Sequence, residues 1–153
     1  MSRQLGFGAI TAIVVLVILA VLAAAITSIG TAQQIGSAQD VMSAKAWQAA
    51  RAGNEWGLYK ALKGLDWAGA ATTCDTASRS ATRDLTSDTG FHVTISCDSW
   101  LYNEGESTPG TPQTVRIYRI KAVACPVTPC PDTSAAVARA GYVERTRVVL
   151  ATN

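Results

Sequence analysis

Few side chains in this chain are equipped for chemistry, and their spacing decides what chemistry is open to them. There is one histidine, His92, and four cysteines: Cys74, Cys97, Cys125 and Cys130. A single histidine with no convincing nucleophile assembles neither a Ser-His-Asp nor a Cys-His constellation. His92 alternates with Phe91 and Val93, so it reads as a solvent-facing strand residue. Glu104 and Glu106 flank Gly105 with nothing apolar beside them to raise a carboxyl pKa, the pattern of a solvated loop. No glycine motif of the phosphate-cradling kind is present. The expectation is a protein that is not an enzyme and holds no cofactor.

The cysteines lack the CxxC spacing of a zinc site, and His92 is the only histidine to join them, so no metal is expected. An even number of cysteines in a small domain beyond an apolar segment reads as a disulfide framework of an oxidising compartment. Three pairings are open. Cys74–Cys97 with Cys125–Cys130 is favoured, because Cys125-Pro-Val-Thr-Pro-Cys130 is short and rich in turn formers. Trp100-Leu101-Tyr102-Asn103 sets aromatics beside polar residues, an arrangement able to stack on a surface glycan. The plainer reading is that Trp100 and Tyr102 cover a sheet edge or a helix.

One peptide bond also stands out. Gln4-Leu5-Gly6-Phe7 opens a stretch with no charged residue between Arg3 and Asp40, in which residues 12–26 are all apolar. At about 1.5 Å per residue, a helix over residues 7–26 spans roughly 30 Å, the hydrocarbon thickness of a bilayer. A cleaved secretory signal, with Ala23-Ala24-Ala25 as its cutting site, is one reading. A permanent anchor is another. The third rests on the junction, a short polar leader, a glycine and then phenylalanine, which resembles the processing site of type IV prepilins. That resemblance implies a prepilin peptidase that cuts after Gly6 and methylates the new amino terminus of Phe7. The apolar helix would then remain, first in the inner membrane and later in a filament core.

The helical pattern runs on past the apolar stretch. Residues 31–62 lack proline and are rich in Ala, Gln and Lys. Val41, Met42, Lys45, Ala49, Ala52, Trp56 and Tyr59 recur at three- and four-residue spacings, the mark of an amphipathic face. Within it, Ala46-Trp47-Gln48-Ala49-Ala50-Arg51-Ala52-Gly53-Asn54-Glu55-Trp56-Gly57-Leu58-Tyr59 resembles a helix of the minor pilins of the mannose-sensitive haemagglutinin (MSHA) type IV pilus system, with relatives among PilX-type minor pilins. The resemblance covers residues 6–62 and is thin beyond them. It implies other major and minor pilins as partners, a periplasmic head on an inner-membrane helix before assembly, and the pilus at the cell surface afterwards. Most pilins carry a glutamate at the fifth mature position, where this chain has Thr11. That departure resembles the K-type pseudopilins and implies a subunit at the filament tip. Ala49, Gly53 and Gly57 form a small-residue stripe that admits a close backbone, from the head's own strands or from a neighbouring pilin helix.

The 153 residues carry a net charge of +2 with their basic residues scattered, which excludes a nucleic-acid footprint. The expected fold is α+β and pilin-like, a long N-terminal helix packed on a small antiparallel sheet. Residues 1–6 form the leader, 7–64 the helix (7–29 in the membrane) and 65–153 a disulfide-bonded head. Strands are expected from Phe91 to Cys97, from Val115 to Val123 and from Tyr142 to Ala151, with a weaker one at residues 81–86 and a loop over 103–112. Two other functions remain open: a secreted binding domain with a cleaved signal, and a K-type minor pseudopilin of a type II secretion system.

Overall fold

The computed structural model describes residues 5–67 and 73–153, without the side chains of residues 5–7 and 28–32. Residues 1–4 of the expected leader lie outside the described residues. Leu5, Gly6 and Phe7 have helical backbone.

One helix, α1, runs Leu5–Leu62. It contains no proline, and Ala, Leu and Gln outweigh its glycines, each of which costs up to about 1 kcal/mol against alanine. It ends where the sequence turns to Lys63-Gly64. Gly64 takes the left-handed conformation at φ 58°, which a side chain would oppose. The Leu65 N–H donates to the Lys60 carbonyl at 2.9 Å and the Gly64 N–H to the Ala61 carbonyl at 3.1 Å. This pair of bonds is a Schellman cap, which satisfies carbonyls that the last turn would leave open.

The chain forms two compact units, Met1–Asp40 and Val41–Asn153. In the first, residues 8–27 are exposed along the whole segment. Among the described residues, Gly8–Thr27 is the one helical stretch long and apolar enough to cross a membrane. It fits a membrane anchor or a signal sequence.

The second unit is the globular part, and it is α+β. Four strands, β1 (Arg79–Leu85), β2 (Phe91–Thr108), β3 (Thr111–Cys125) and β4 (Arg145–Thr152), form one antiparallel sheet in chain order. A short 3-10 turn, Ala135–Ala138, precedes β4. The period-two pattern of β2 is realised directly: Phe91, Val93, Ile95 and Cys97 are fully buried. Tyr118, Ile120, Ala122 and Ala124 of β3 continue the same core, with Trp67 and the helix residues Ala46, Ala49, Ala50 and Ala61.

Several expectations change. Residues 103–112 are not a loop, because β2 and β3 extend through them as a hairpin. The pair closes at Thr108-Pro109-Gly110-Thr111, where proline presets the first central position and Gly110 supplies φ 83° at the second. The buried helix face also differs. Val41, Lys45, Ala52 and Tyr59 are exposed, and the face against the sheet is Ala46, Ala49, Ala50, Gly53, Asn54, Gly57 and Ala61. The spacing rule identified the helix and part of its buried side: Ala49 is buried, and Met42 and Trp56 pack against the core. A stripe of small residues lets the sheet approach closely, and that closeness turns the larger side chains to the rims.

Candidate assembly surfaces

The small-residue stripe is sealed by the head's own sheet. A Cβ built on Gly53 would stand 2.6 Å from Val93 Cγ1 and 3.1 Å from Ile95 Cγ1. One on Gly57 would stand 2.6 Å from Ile120 Cγ2 and 2.9 Å from Ile95 Cγ2. Such distances are below van der Waals contact, so β2 and β3 occupy the space that side chains here would need. Of the two partners expected for Ala49, Gly53 and Gly57, the structure shows the head's own strands.

Tryptophans and arginines brace the two rims of this contact. Arg83 of β1 lies over the Trp56 ring at 4.5 Å, and Arg147 of β4 over the Trp47 ring at 4.2 Å. Trp56 meets Trp67 edge to face at 5.1 Å. Arg145 donates to the Ser43 hydroxyl at 2.6 Å. Both edge strands thus send a cation onto an aromatic of the helix, the attraction of a guanidinium for a ring face. Sequence reading found the aromatics and not their partners, because the pairs join residues far apart in the chain.

The connector before β1 is stitched to the sheet. Cys74 is bonded to Cys97, and Cys125 to Cys130, matching the favoured pairing. Beside Cys74, the Ser99 hydroxyl donates to its carbonyl at 2.9 Å, Arg116 donates to the Asp75 carbonyl at 3.0 Å, and the Tyr118 hydroxyl donates to the Asp75 carboxylate at 2.8 Å. Burial, and then the Asp75 bond, push the Tyr118 phenol up.

The outer face of the sheet bears Trp100, Tyr102, Val148 and Leu150, all exposed. The expected packing of Trp100 and Tyr102 over an edge or the helix is not what occurs. They sit on the half of the hairpin that extends past the core, with Arg119 over the Trp100 ring at 5.0 Å. Arg119 also donates to Asp98 at 2.7 Å. Ser78 first, and then Arg119, hold the Asp98 carboxyl below its ordinary range. His92 is half-buried on this face, its Nδ1 3.6 Å from Asp84. Glu104 and Glu106 are exposed, and the Glu106 carboxylate accepts the Gly110 N–H at 3.0 Å, bracing the hairpin turn. Among the described residues, no group of three His, Cys, Asp or Glu side chains is placed to hold a metal ion.

Compared with models of known protein families, with curated proteins and with solved structures, the chain finds no match.

Proposed function

We propose that the chain is a minor pilin of an MSHA-type type IV pilus, with a structural part in starting or capping the filament. One observation carries the reading. A charge-free helical segment, Gly8–Thr27, is followed in the same helix by a face whose glycines are sealed under a disulfide-bonded antiparallel sheet. An anchor alone needs no helix beyond the bilayer, and a secreted domain needs no apolar segment after export. A pilin uses both, in the inner membrane with its head in the periplasm, and then among neighbouring pilins at the cell surface.

Processing tests this directly. Protein extracted from membranes should have an intact mass that starts at Phe7 with one added methyl group. Gly6→Val should leave the leader in place, since the bulkier residue obstructs cleavage, and Gly6→Ala should slow it. A soluble product beginning near Ile26 would support the secreted-domain reading instead. A K-type pseudopilin would be processed at the same bond, so location separates it. Antibody to the head should label pili rather than secretion complexes.

Thr11 bears on position in the filament. A carboxylate in lipid is costly unless paired, so its usual presence at this place implies the amine of an adjacent subunit. Threonine brings no charge to such an amine. A subunit with nothing above it to recruit loses nothing by that, and the reading places this chain at the tip. Gold-labelled antibody should mark pilus ends, and Thr11→Glu should raise the copy number along the shaft. Uniform labelling of wild-type pili would remove the tip assignment.

A further inference from the structure

Among the described residues the sheet ends in two edge strands, β1 and β4, and they differ. The edge of β1 carries Arg79, Arg83 and Asp84, charges of the kind that deter another strand. The edge of β4 ends in Val148-Val149-Leu150-Ala151-Thr152, with no charge and no proline. Arg116 and Asn153 exchange both of their backbone hydrogen bonds, at 3.1 and 3.2 Å. Pairing in an antiparallel ladder alternates, so Arg145, Arg147, Val149 and Ala151 turn their N–H and C=O groups toward β3. Thr146, Val148, Leu150 and Thr152 turn theirs to the open edge. The side chains of these four are exposed on the outer face, Val148 at 54% and Leu150 at 65%.

We infer that the β4 edge is a docking site for an extended segment of a partner protein whose apolar residues alternate with Asp or Glu. The alternation follows from the register. An added strand places one set of side chains on the outer face beside Val148 and Leu150, where apolar groups gain most. Its other set falls on the opposite face, beside Arg145 and Arg147. Those guanidiniums rest on the Ser43 hydroxyl and the Trp47 ring, and among the described residues neither forms an ion pair. Main-chain bonds supply affinity, and the apolar side chains on one face and guanidiniums on the other supply specificity. The inference goes beyond the pilin reading and does not rest on it.

The test uses the full chain in detergent micelles and two synthetic peptides. One is acetyl-Thr-Val-Glu-Val-Glu-Val-Thr-amide, and the other has lysine in place of both glutamates. Backbone hydrogen exchange is followed residue by residue. The acidic peptide should slow exchange at Val148 and Leu150 at least about tenfold, leaving Val149 and Ala151, already bonded to β3, unchanged. The lysine peptide should bind at least about tenfold more weakly. Val148→Pro removes an outward N–H without touching the β3 ladder and should abolish the effect. Arg145→Glu, which keeps every backbone donor and leaves Arg147 opposed by a carboxylate, should remove most of the preference for the acidic peptide. Unchanged exchange at Val148 and Leu150 would overturn the inference, and so would equal binding of both peptides. Slowing without peptide that grows with protein concentration would overturn it in favour of a second copy of the chain.

Discussion

Replacing Gly57 with valine should lower the melting temperature of the sheet-bearing unit by about 10–20 °C, the equivalent of roughly 3 kcal/mol in a domain of this size. The first added carbon alone would stand 2.6 Å from Ile120 Cγ2 and 2.9 Å from Ile95 Cγ2. Both neighbours are branched, fully buried side chains held by the β2–β3 ladder, so neither can swing aside. Valine adds two more methyl groups to the same space, and the helix must lift from the sheet to admit them. Gly57→Ala should do less harm, because better helix propensity returns about 1 kcal/mol against the clash. Gly36→Ala is the control: its Cβ meets nothing within 4 Å, so the melt of the head should not fall. Thermal melts by circular dichroism on detergent-extracted protein would read all three. A Gly57→Val melt equal to the parent would show that the helix does not lie against β2 and β3.

Removing the Cys74–Cys97 bond should be nearly as damaging. Its partners lie 23 residues apart, and closing a loop of that size restricts the unfolded chain by about 3 kcal/mol. Cys125 and Cys130 are 5 apart, and their bond should contribute only about 2 kcal/mol. The longer bond also fixes the segment whose Cys74 and Asp75 carbonyls accept from Ser99 and Arg116, and whose Asp75 carboxylate holds Tyr118. The Cys74→Ala/Cys97→Ala pair should therefore lose both the covalent restraint and this network, and expose residues 73–78 to protease. Cys125→Ala/Cys130→Ala should keep that segment protected. Denaturant titration and limited proteolysis separate the two. Equal loss of stability in both double variants would refute the ranking. A Cys97–Cys125 peptide under non-reducing conditions would refute the pairing.

What the sequence determined by itself is local. The charge-free run dictated a helix that lipid can hold, because periodicity and composition act between neighbours in the chain. The stop at Lys63-Gly64, the buried alternation of Phe91, Val93, Ile95 and Cys97, and the short Cys125–Cys130 clasp are local in the same sense. Tertiary structure decided what depends on distant partners. Residues 103–112 look like a loop because they are polar and carry Gly105, Pro109 and Gly110. They are strand because each side of the hairpin supplies the other's backbone bonds, so the ladder outlasts the core. The stripe of Ala49, Gly53 and Gly57 was legible from its spacing, but not that Ala46, Ala50 and Ala61 continue the buried face in place of Val41 and Tyr59, because the area gained when a whole sheet approaches exceeds what one tyrosine or valine could bury. The arginines over Trp47 and Trp56 come from opposite edges of the sheet, and no spacing along the helix announces them. The open edge of β4 is of the same kind, since a strand becomes an edge only when the order of its neighbours is settled.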